Sequence, residues 1–318
     1  MSLNISNNFA RNDTTKELAK RWKMCDLSFY FLGLTVAASG TIGNASVLII
    51  IKRNRTFKTA QNYLLANLAA ADITNLMFCA LAVIPAITVL PDGVVGNILC
   101  KFFVGFNVPL TATVTSVFTL TVLAVERYNA VVKPLQMLQL TRETVQYAIA
   151  ATWAVSVGLN VPIFVHTGYK FKKAFCHQTY SKEAELIHIT FYVVFVFIIP
   201  FIVITFCYSK IVRTLYHVSA VTPESNIPDK EKLRQKKQLL KMSLTVTAVF
   251  AGCVFPASIT VVLRYYRLVS QTVRGFGLLL LFLSSVVNPF IYAFHSSNYR
   301  SAFKALLRCC HVDATDQS

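Results

Sequence analysis

Asp72 is the one acidic residue deep inside a long apolar run of this sequence. In a membrane-spanning segment an ionisable side chain is costly, and it usually marks a functional site. Four side chains with oxygen atoms occupy other apolar runs and can surround this carboxylate: Asn44, Ser116, Ser285 and Asn288. Oxygen ligands around a carboxylate suit a hard cation. The alternative is a network of hydrogen bonds that joins helices without an ion.

Arg127, which stands between Glu126 and Tyr128, lies at the end of another apolar run. Its guanidinium is permanently charged and carries a rigid fork of donors, which suits it to bind an acidic group with two hydrogen bonds. The alternative is an arginine whose stem lies in the membrane while its charge reaches the headgroups.

Several function classes are excluded. The apolar runs contain no Ser–His or paired-Asp arrangement, and the six histidines are not grouped at metal-ligand spacing, so we expect that the chain is not an enzyme. The net charge of +17 comes from 31 basic and 14 acidic residues. Most of the basic residues lie between the apolar runs, where they face lipid headgroups rather than nucleic acid.

The composition indicates which elements must hold these residues. The chain has 318 residues, of which 55% are hydrophobic and 14% charged, whereas soluble domains are about 25% charged. One membrane-spanning helix takes about 20 apolar residues. Seven such runs are present, at roughly 29–51, 63–90, 98–131, 145–166, 186–212, 239–263 and 273–294. The sequence therefore predicts an all-α membrane protein, a bundle of seven transmembrane helices.

The first loop sets the expected orientation. Lys52, Arg53 and Arg55 follow the first run directly, and basic residues in short loops favour the cytoplasmic side. The N-terminus is then extracellular, where Asn4 and Asn12 are N-glycosylation sequons. We expect a multi-pass protein of the plasma membrane, whose helices contact the lipid bilayer.

Four cysteines have predicted roles. Cys100 and Cys176 both face the extracellular, oxidising side and are the natural disulfide pair. Cys309 and Cys310 follow the last run, where juxtamembrane cysteines are candidates for palmitoylation; the alternative is two unmodified thiols.

The chain divides into three predicted parts. Residues 1–28 form an extracellular tail, residues 29–294 the seven-transmembrane domain, and residues 295–318 an amphipathic helix and a cytoplasmic tail. Tyr299 and Phe303 recur at helical spacing with basic residues between them, which is typical of a helix that lies on a membrane surface.

The runs also carry short motifs in a fixed order. They are Gly43-Asn44, Asn67 to Asp72, Glu126-Arg127-Tyr128, Trp153, Pro200 with Tyr208, Phe250 to Pro256, and Asn288-Pro289-Phe290-Ile291-Tyr292. Over nearly its whole length the chain resembles rhodopsin-like (class A) G-protein-coupled receptors. Among these it is similar to peptide receptors of the galanin, neuropeptide Y and allatostatin type.

The resemblance implies a mechanism. An extracellular ligand shifts the bundle, the sixth helix moves outward about Pro256, and a heterotrimeric G protein binds on the cytoplasmic side, with arrestin as a further partner. Arg127 would pair with Glu126 at rest and turn toward Tyr208 on activation. The implied switch residues are Glu126, Arg127, Tyr128, Tyr208, Pro256, Asn288, Pro289 and Tyr292. The oxygen cluster around Asp72 would hold a sodium ion as an allosteric modulator, the only cofactor we expect.

The sequence departs from the family pattern in three places. Val254 stands where the family usually has Trp, so we expect activation to use Phe250 or Phe255 instead. From Cys100 to Arg127 is 27 positions, two more than the pattern, which predicts a kink or bulge in the outer third helix. Lys236 and Lys237 stand where the family has an acidic residue at the start of the sixth run. This predicts a weak resting contact between the third and sixth helices and raised basal signalling.

The expected ligand is a neuropeptide. The seventh run has no Lys for a retinal Schiff base, and no acid lies between residues 93 and 125 to bind an amine. A rim rich in arginine and tyrosine favours carboxylate or aromatic groups, with Gln178, Arg264, Tyr265 and Arg267 as contact candidates. The alternative is a small anionic or lipid ligand. A membrane transporter is a distant alternative, because no internal repeat is evident.

Overall fold

Seven helices form the body of the molecule. The computed structural model describes residues 27–81, 90–133, 139–170, 175–221, 227–266, 268 and 270–315. Within these ranges, seven helices are long and apolar enough to cross a membrane, and we number them as spans in chain order: Gly33–Arg53, Ala60–Leu81, Gly93–Val132, Val145–His166, Lys182–Tyr216, Lys237–Leu263 and Gly275–His295. The predicted seven-transmembrane helix bundle is confirmed.

Five of the spans are uninterrupted helices. A helix satisfies its backbone hydrogen bonds internally, which is required in lipid and explains why apolar runs of this length fold in this way. These helices, which include the first, second, fourth, sixth and seventh spans, are Leu27–Arg53, Ala60–Leu81, Val145–His166, Ile227–Tyr265 and Gln271–His295. A 3-10 turn, Arg55–Phe57, joins the first two.

The third span is interrupted near its outer end. A short helix, Gly93–Leu99, continues into a π-helical segment, Cys100–Val104, and a second helix runs over Asn107–Val132. Between them Phe106 has a left-handed backbone with φ of 60°. A Cβ at Gly105 would lie 2.5 Å from the carbonyl oxygen of the first π-helical residue, so only glycine fits there. This break accommodates the two extra residues and confirms the predicted bulge.

The fifth span has a similar irregularity. Its first helix, Lys182–Tyr192, passes through a π-helical segment, Val193–Ile198, into the helix Ile199–Val221. Pro200 is the second residue of that last helix, where the missing proline N–H falls next to the irregular segment. The side chain of Ser181 caps the start of the span by accepting a hydrogen bond from the backbone N–H of Ala184 at 3.2 Å.

A β-hairpin covers the end of the bundle that holds the third-span break. Strand β1, Thr167–Lys170, pairs in antiparallel fashion with strand β2, Phe175–Gln178. A disulfide joins Cys176 of β2 to Cys100 of the third span, so the predicted disulfide is present. We call this the Cys100 end of the bundle and the opposite one the Arg127 end.

Close helix contacts explain two of the sequence motifs. A Cβ at Gly43 would lie 3.1 Å from Cγ of Pro289, so glycine allows the first and seventh spans to approach. Asn67 of the second span donates to Oγ1 of Thr119 in the third at 2.8 Å and accepts from Nε1 of Trp153 in the fourth at 2.9 Å. A single amide therefore ties three helices together.

A tail helix, Ser297–Thr315, follows the seventh span, as predicted. Its Tyr299 is only 3% exposed, whereas Leu307 is 71% exposed, so the first turn of the helix packs against the bundle and a later turn is exposed. Cys309 and Cys310 lie on this helix, but their side chains are outside the described part, as are Asn4 and Asn12. Palmitoylation, glycosylation and the division at residues 28 and 294 therefore stay predictions.

Candidate functional site

Asp72 lies at the centre of the bundle and is 1% exposed. Its Oδ2 accepts a hydrogen bond of 2.7 Å from Nδ2 of Asn288 in the seventh span. Its Oδ1 is buried and has no hydrogen-bond partner among the described residues. A buried carboxylate oxygen without a donor is expensive, so this position calls for a cation or a proton.

The other predicted oxygen donors are also buried, but they contact different partners. Nδ2 of Asn44 donates to the backbone carbonyl of Ser285 at 2.9 Å, and the Oδ1 of Asn44 has no partner in the described part of the chain. Oγ of Ser116 donates to the carbonyl of Ala112 in its own helix at 3.2 Å. Of the four predicted neighbours, Asn288 is hydrogen-bonded to Asp72 at 2.7 Å, and the side chain of Ser285 also interacts with this carboxyl group.

Asn75 belongs to this cluster and the sequence analysis missed it. Its Nδ2 donates to Oγ of Ser285 at 2.9 Å, which fixes that hydroxyl between the second and seventh spans. The signal was available, because Asn75 is three residues after Asp72 and residues at that spacing share a helix face.

The oxygens of this cluster fit a hard monovalent cation. Asp72 supplies a buried carboxylate oxygen and Asn44 a buried amide oxygen, neither of which accepts a hydrogen bond from a described residue. Ser116 and Ser285 supply hydroxyl oxygens, and each of these two residues is 2% exposed. Such a donor set contains oxygen only, as hard cations prefer.

At the Arg127 end, Glu126 has a partner besides the neighbouring arginine. Oε2 of Glu126 accepts a hydrogen bond from the backbone N–H of Leu140 at 3.0 Å, in the loop that follows the third span. Consecutive helix residues do not face each other, so Glu126 points to the loop while Arg127 points into the bundle. Glu126 still acts on Arg127 as a nearby charge.

Arg127 meets a second predicted switch residue. It interacts electrostatically with Tyr208 of the fifth span, which is 6% exposed. The hydroxyl of Tyr208 is hydrogen-bonded to Oγ1 of Thr247 in the sixth span at 3.2 Å. The third, fifth and sixth spans therefore meet around one guanidinium.

His295 holds the sixth span against the seventh, a contact that the sequence analysis did not foresee. Nε2 of Gln238 donates to the carbonyl oxygen of His295 at 2.8 Å. Oγ1 of Thr245 lies 3.3 Å from Nε2 of the same histidine. We call these two contacts the His295 latch.

The remaining switch residues lie in the interior or within helices. Tyr292 is fully buried, and its ring centroid lies 5.5 Å from that of Tyr299 in the tail helix. Pro256 and Pro289 stand inside uninterrupted helices. The side chain of Tyr128 contacts Phe206 of the fifth span, with ring centroids 5.9 Å apart.

The structure distinguishes the two phenylalanines proposed for activation. Val254, which replaces the family's Trp, is 4% exposed, and Phe250, one turn earlier, is 5% exposed. Phe255 is 61% exposed and faces away from the core. Of the two phenylalanines, only Phe250 lies inside the bundle.

The predicted ligand contacts are only partly described. Gln178 is an exposed residue at the end of β2. The hydroxyl of Tyr265 donates to the carbonyl of Lys182 at 3.4 Å, which links the sixth span to the start of the fifth. The side chain of Arg264 and all of Arg267 lie outside the described residues, so these four residues are not shown to converge.

Tyr180 is a further residue at the Cys100 end. Its ring stacks between His166 of the fourth span and His188 of the fifth, with centroid distances of 4.3 Å and 5.7 Å. Burial, with a contribution from the charge of Glu185, raises the pKa of Tyr180 to about 12.

Comparisons with known proteins agree with this arrangement. Residues 43–292 match the sequence profile of the 7 transmembrane receptor (rhodopsin family). The chain is 29% identical to the QRFP-like peptide receptor of Branchiostoma floridae over 92% of its length and 80% of the relative's. It is 30% identical to somatostatin receptor type 4 of Rattus norvegicus, over 88% and 73%, and 28% identical to galanin receptor type 1 of Homo sapiens, over 89% and 84%.

These relatives are receptors, which confirms that the chain is not an enzyme. The match spans the helices that bring Asp72, Arg127, Tyr208 and Asn288 into the bundle. The chain therefore belongs to the rhodopsin family of seven-transmembrane receptors.

Proposed function

We propose that the chain is a neuropeptide receptor of the plasma membrane that activates a heterotrimeric G protein. The observation that carries this proposal is the meeting of three spans at Arg127. Because Tyr208 faces this guanidinium and is bonded to Thr247, a movement of the sixth span changes the surroundings of the charge directly.

Activation is an outward movement of the sixth span about Pro256. This movement must break the hydrogen bond from Tyr208 to Thr247 and the His295 latch. Arg127, Tyr208 and Tyr292 then frame an opening for the G protein, and arrestin binds at the same opening. The ligand acts by binding the open arrangement better than the closed one, which shifts a two-state equilibrium.

The membrane orientation follows from the first loop. Lys52 and Arg53 end the first span at the Arg127 end, and Arg55 follows in the short connection to the second span. All three are exposed, and the rule for basic residues has most force beside a short connection. The Arg127 end is then cytoplasmic and the Cys100 end, with its disulfide-bonded hairpin, is extracellular.

A peptide is the proposed ligand class because relatives that align over most of this chain are named as peptide receptors. The arginine and tyrosine residues that the sequence places near the outer end of the sixth span support a ligand with carboxylate or aromatic groups. A small anionic or lipid ligand would use the same residues and is the second candidate. A membrane transporter is a weaker candidate than either ligand class of receptor, because the sequence shows no internal repeat.

A sodium ion is the proposed modulator of the Asp72 cluster. Asp72, Asn44, Ser116, Ser285 and Asn288 would hold it, and its charge would neutralise the buried carboxylate. The free Oδ1 of Asp72 and Oδ1 of Asn44 support this assignment over a network of hydrogen bonds alone. Asn75 would position the hydroxyl of Ser285.

The test uses nucleotide exchange on G proteins in membranes that carry the chain. Extract from its source tissue is applied with and without protease treatment. Exchange that is lost on digestion identifies a peptide agonist, whereas exchange that survives identifies a small ligand. Arg127→Ala should abolish exchange and leave surface expression intact; normal exchange in this variant would reject the proposed role of Arg127.

A further inference from the structure

A groove of about 410 Å³ runs along one face of the fifth span, outside the core of the bundle. Its apolar part is formed by Phe201, Ile202 and Phe206, each of which is more than half exposed. Toward the Arg127 end its lining becomes basic, with Lys210 and Arg213. An apolar groove that ends in two cations is complementary to an anionic lipid, because the acyl chain is apolar and the phosphate is negatively charged.

The third span extends this basic end. Nζ of Lys210 lies 5.8 Å from the ring centroid of Phe206, whose ring is 5.9 Å from that of Tyr128. Nζ of Lys133 lies 5.8 Å from the ring centroid of Tyr128 on the other side. Cations at such distances are attracted to ring faces, so two ammonium groups are held beside a pair of contacting rings.

The neighbouring helices supply little negative charge for these cations. Glu126 is the only acidic residue in Asn107–Val132 and Ile199–Val221, and its carboxylate already accepts from the N–H of Leu140. Lys133, Lys210 and Arg213 are all exposed. An anion from outside the protein is the fitting partner for this local excess of positive charge.

We infer that this groove binds one anionic phospholipid of the leaflet at the Arg127 end. Lys210, Arg213 and Lys133 contact the phosphate, and an acyl chain lies along Phe201 and Ile202. In the orientation proposed above, this is the cytoplasmic leaflet, which is rich in anionic lipids. The occupied site spans the third and fifth helices beside the residues that surround Arg127.

The experiment measures lipid binding by the purified full chain in detergent micelles. Fluorescent phosphatidylglycerol and phosphatidylcholine with identical acyl chains are titrated separately. The wild type should prefer phosphatidylglycerol, and Lys210→Gln/Arg213→Gln should weaken its binding about 30-fold, roughly fivefold for each basic residue. The matched control is Lys52→Gln/Arg53→Gln, which removes two exposed cations of the first span and should leave binding unchanged.

Two results would overturn the inference. An equal loss in both double variants would show general attraction between basic residues and acidic lipid, with no site on the fifth span. Displacement by glycerophosphoglycerol at the same concentration as the intact lipid would show an anion site without an acyl groove. Because the altered side chains are exposed, unchanged thermal unfolding checks that the variants fold. The readout needs neither peptide nor G protein, so it is independent of the proposed function.

Discussion

Asn288 and Asp72 are joined by a hydrogen bond of 2.7 Å that links the seventh span to the second at the centre of the bundle. This bond uses one carboxylate oxygen and leaves Oδ1 of Asp72 without a partner in the described part of the chain. The arrangement explains why an acid can be kept at this depth, since Asn288 stabilises one oxygen and a cation can stabilise the other.

The first prediction concerns sodium. Replacing sodium with choline at constant ionic strength should raise basal nucleotide exchange of the wild type about fivefold, at the lower end of typical coupling between two sites. Asp72→Asn should not respond, because the variant has no charge to hold the ion. A sodium response that persists in Asp72→Asn would place the ion elsewhere, and a wild type without any response would leave the hydrogen-bond network as the explanation.

The second prediction concerns the His295 latch. Gln238→Ala combined with Thr245→Val should raise basal exchange roughly 5- to 10-fold, because interhelical hydrogen bonds in membranes contribute about 0.6 kcal/mol each and up to about 1.7. Both bonds must break when the sixth span moves outward. Lys241→Ala, at an exposed residue of the same helix, is the control and should change nothing. If the double variant keeps the wild-type basal rate, the latch does not restrain the sixth span.

Two features of the fold could be predicted from the sequence. The seven runs predict seven helices because a membrane leaves no other way to satisfy the backbone. The two extra residues before Arg127 predict a kink or bulge in the outer third helix, since added residues must be accommodated locally, and the structure places the break at Gly105 and Phe106. Both predictions depend on chain length and apolarity, which the sequence states directly.

Contacts between helices were harder to predict. The hydrogen bond from Gln238 to the carbonyl of His295 joins residues 57 positions apart, and it depends on how two helices rotate and slide against each other. The bond from Leu140 to Glu126 depends on the path of a loop. No motif or periodicity encodes such relations, whereas Asn75, on the same helix face as Asp72, was within reach of the sequence.

The third prediction concerns pH at the Cys100 end. Burial and Glu185 raise the pKa of Tyr180 to about 12, above its ordinary value of about 10. The folded state therefore keeps the phenol proton where the unfolded chain releases it, and the stabilisation falls as the pH rises from about 10 toward 12. Thermal unfolding in detergent should show a decline in this window that is smaller in Tyr180→Phe, which has no phenol proton. Identical pH profiles for the two proteins would contradict the assignment.

The last prediction separates the two roles of Tyr299. Its hydroxyl donates to Oδ1 of Asn62 at 2.9 Å, and its ring contacts that of Phe57 with centroids 4.7 Å apart. Tyr299→Phe removes only the hydrogen bond and should cost about 1 kcal/mol of the free energy of unfolding. Tyr299→Ala also removes the ring from a position that is 3% exposed, which should cost about 3–5 kcal/mol.

Thermal unfolding of the purified variants measures both costs, and Leu307→Ala, at an exposed position two turns later in the same helix, is the control. Because Tyr299 also lies against Tyr292, Tyr299→Ala should reduce agonist-stimulated exchange, whereas Tyr299→Phe should keep most of it. If Tyr299→Phe were as unstable as Tyr299→Ala, the bond to Asn62 rather than ring packing would anchor the tail helix.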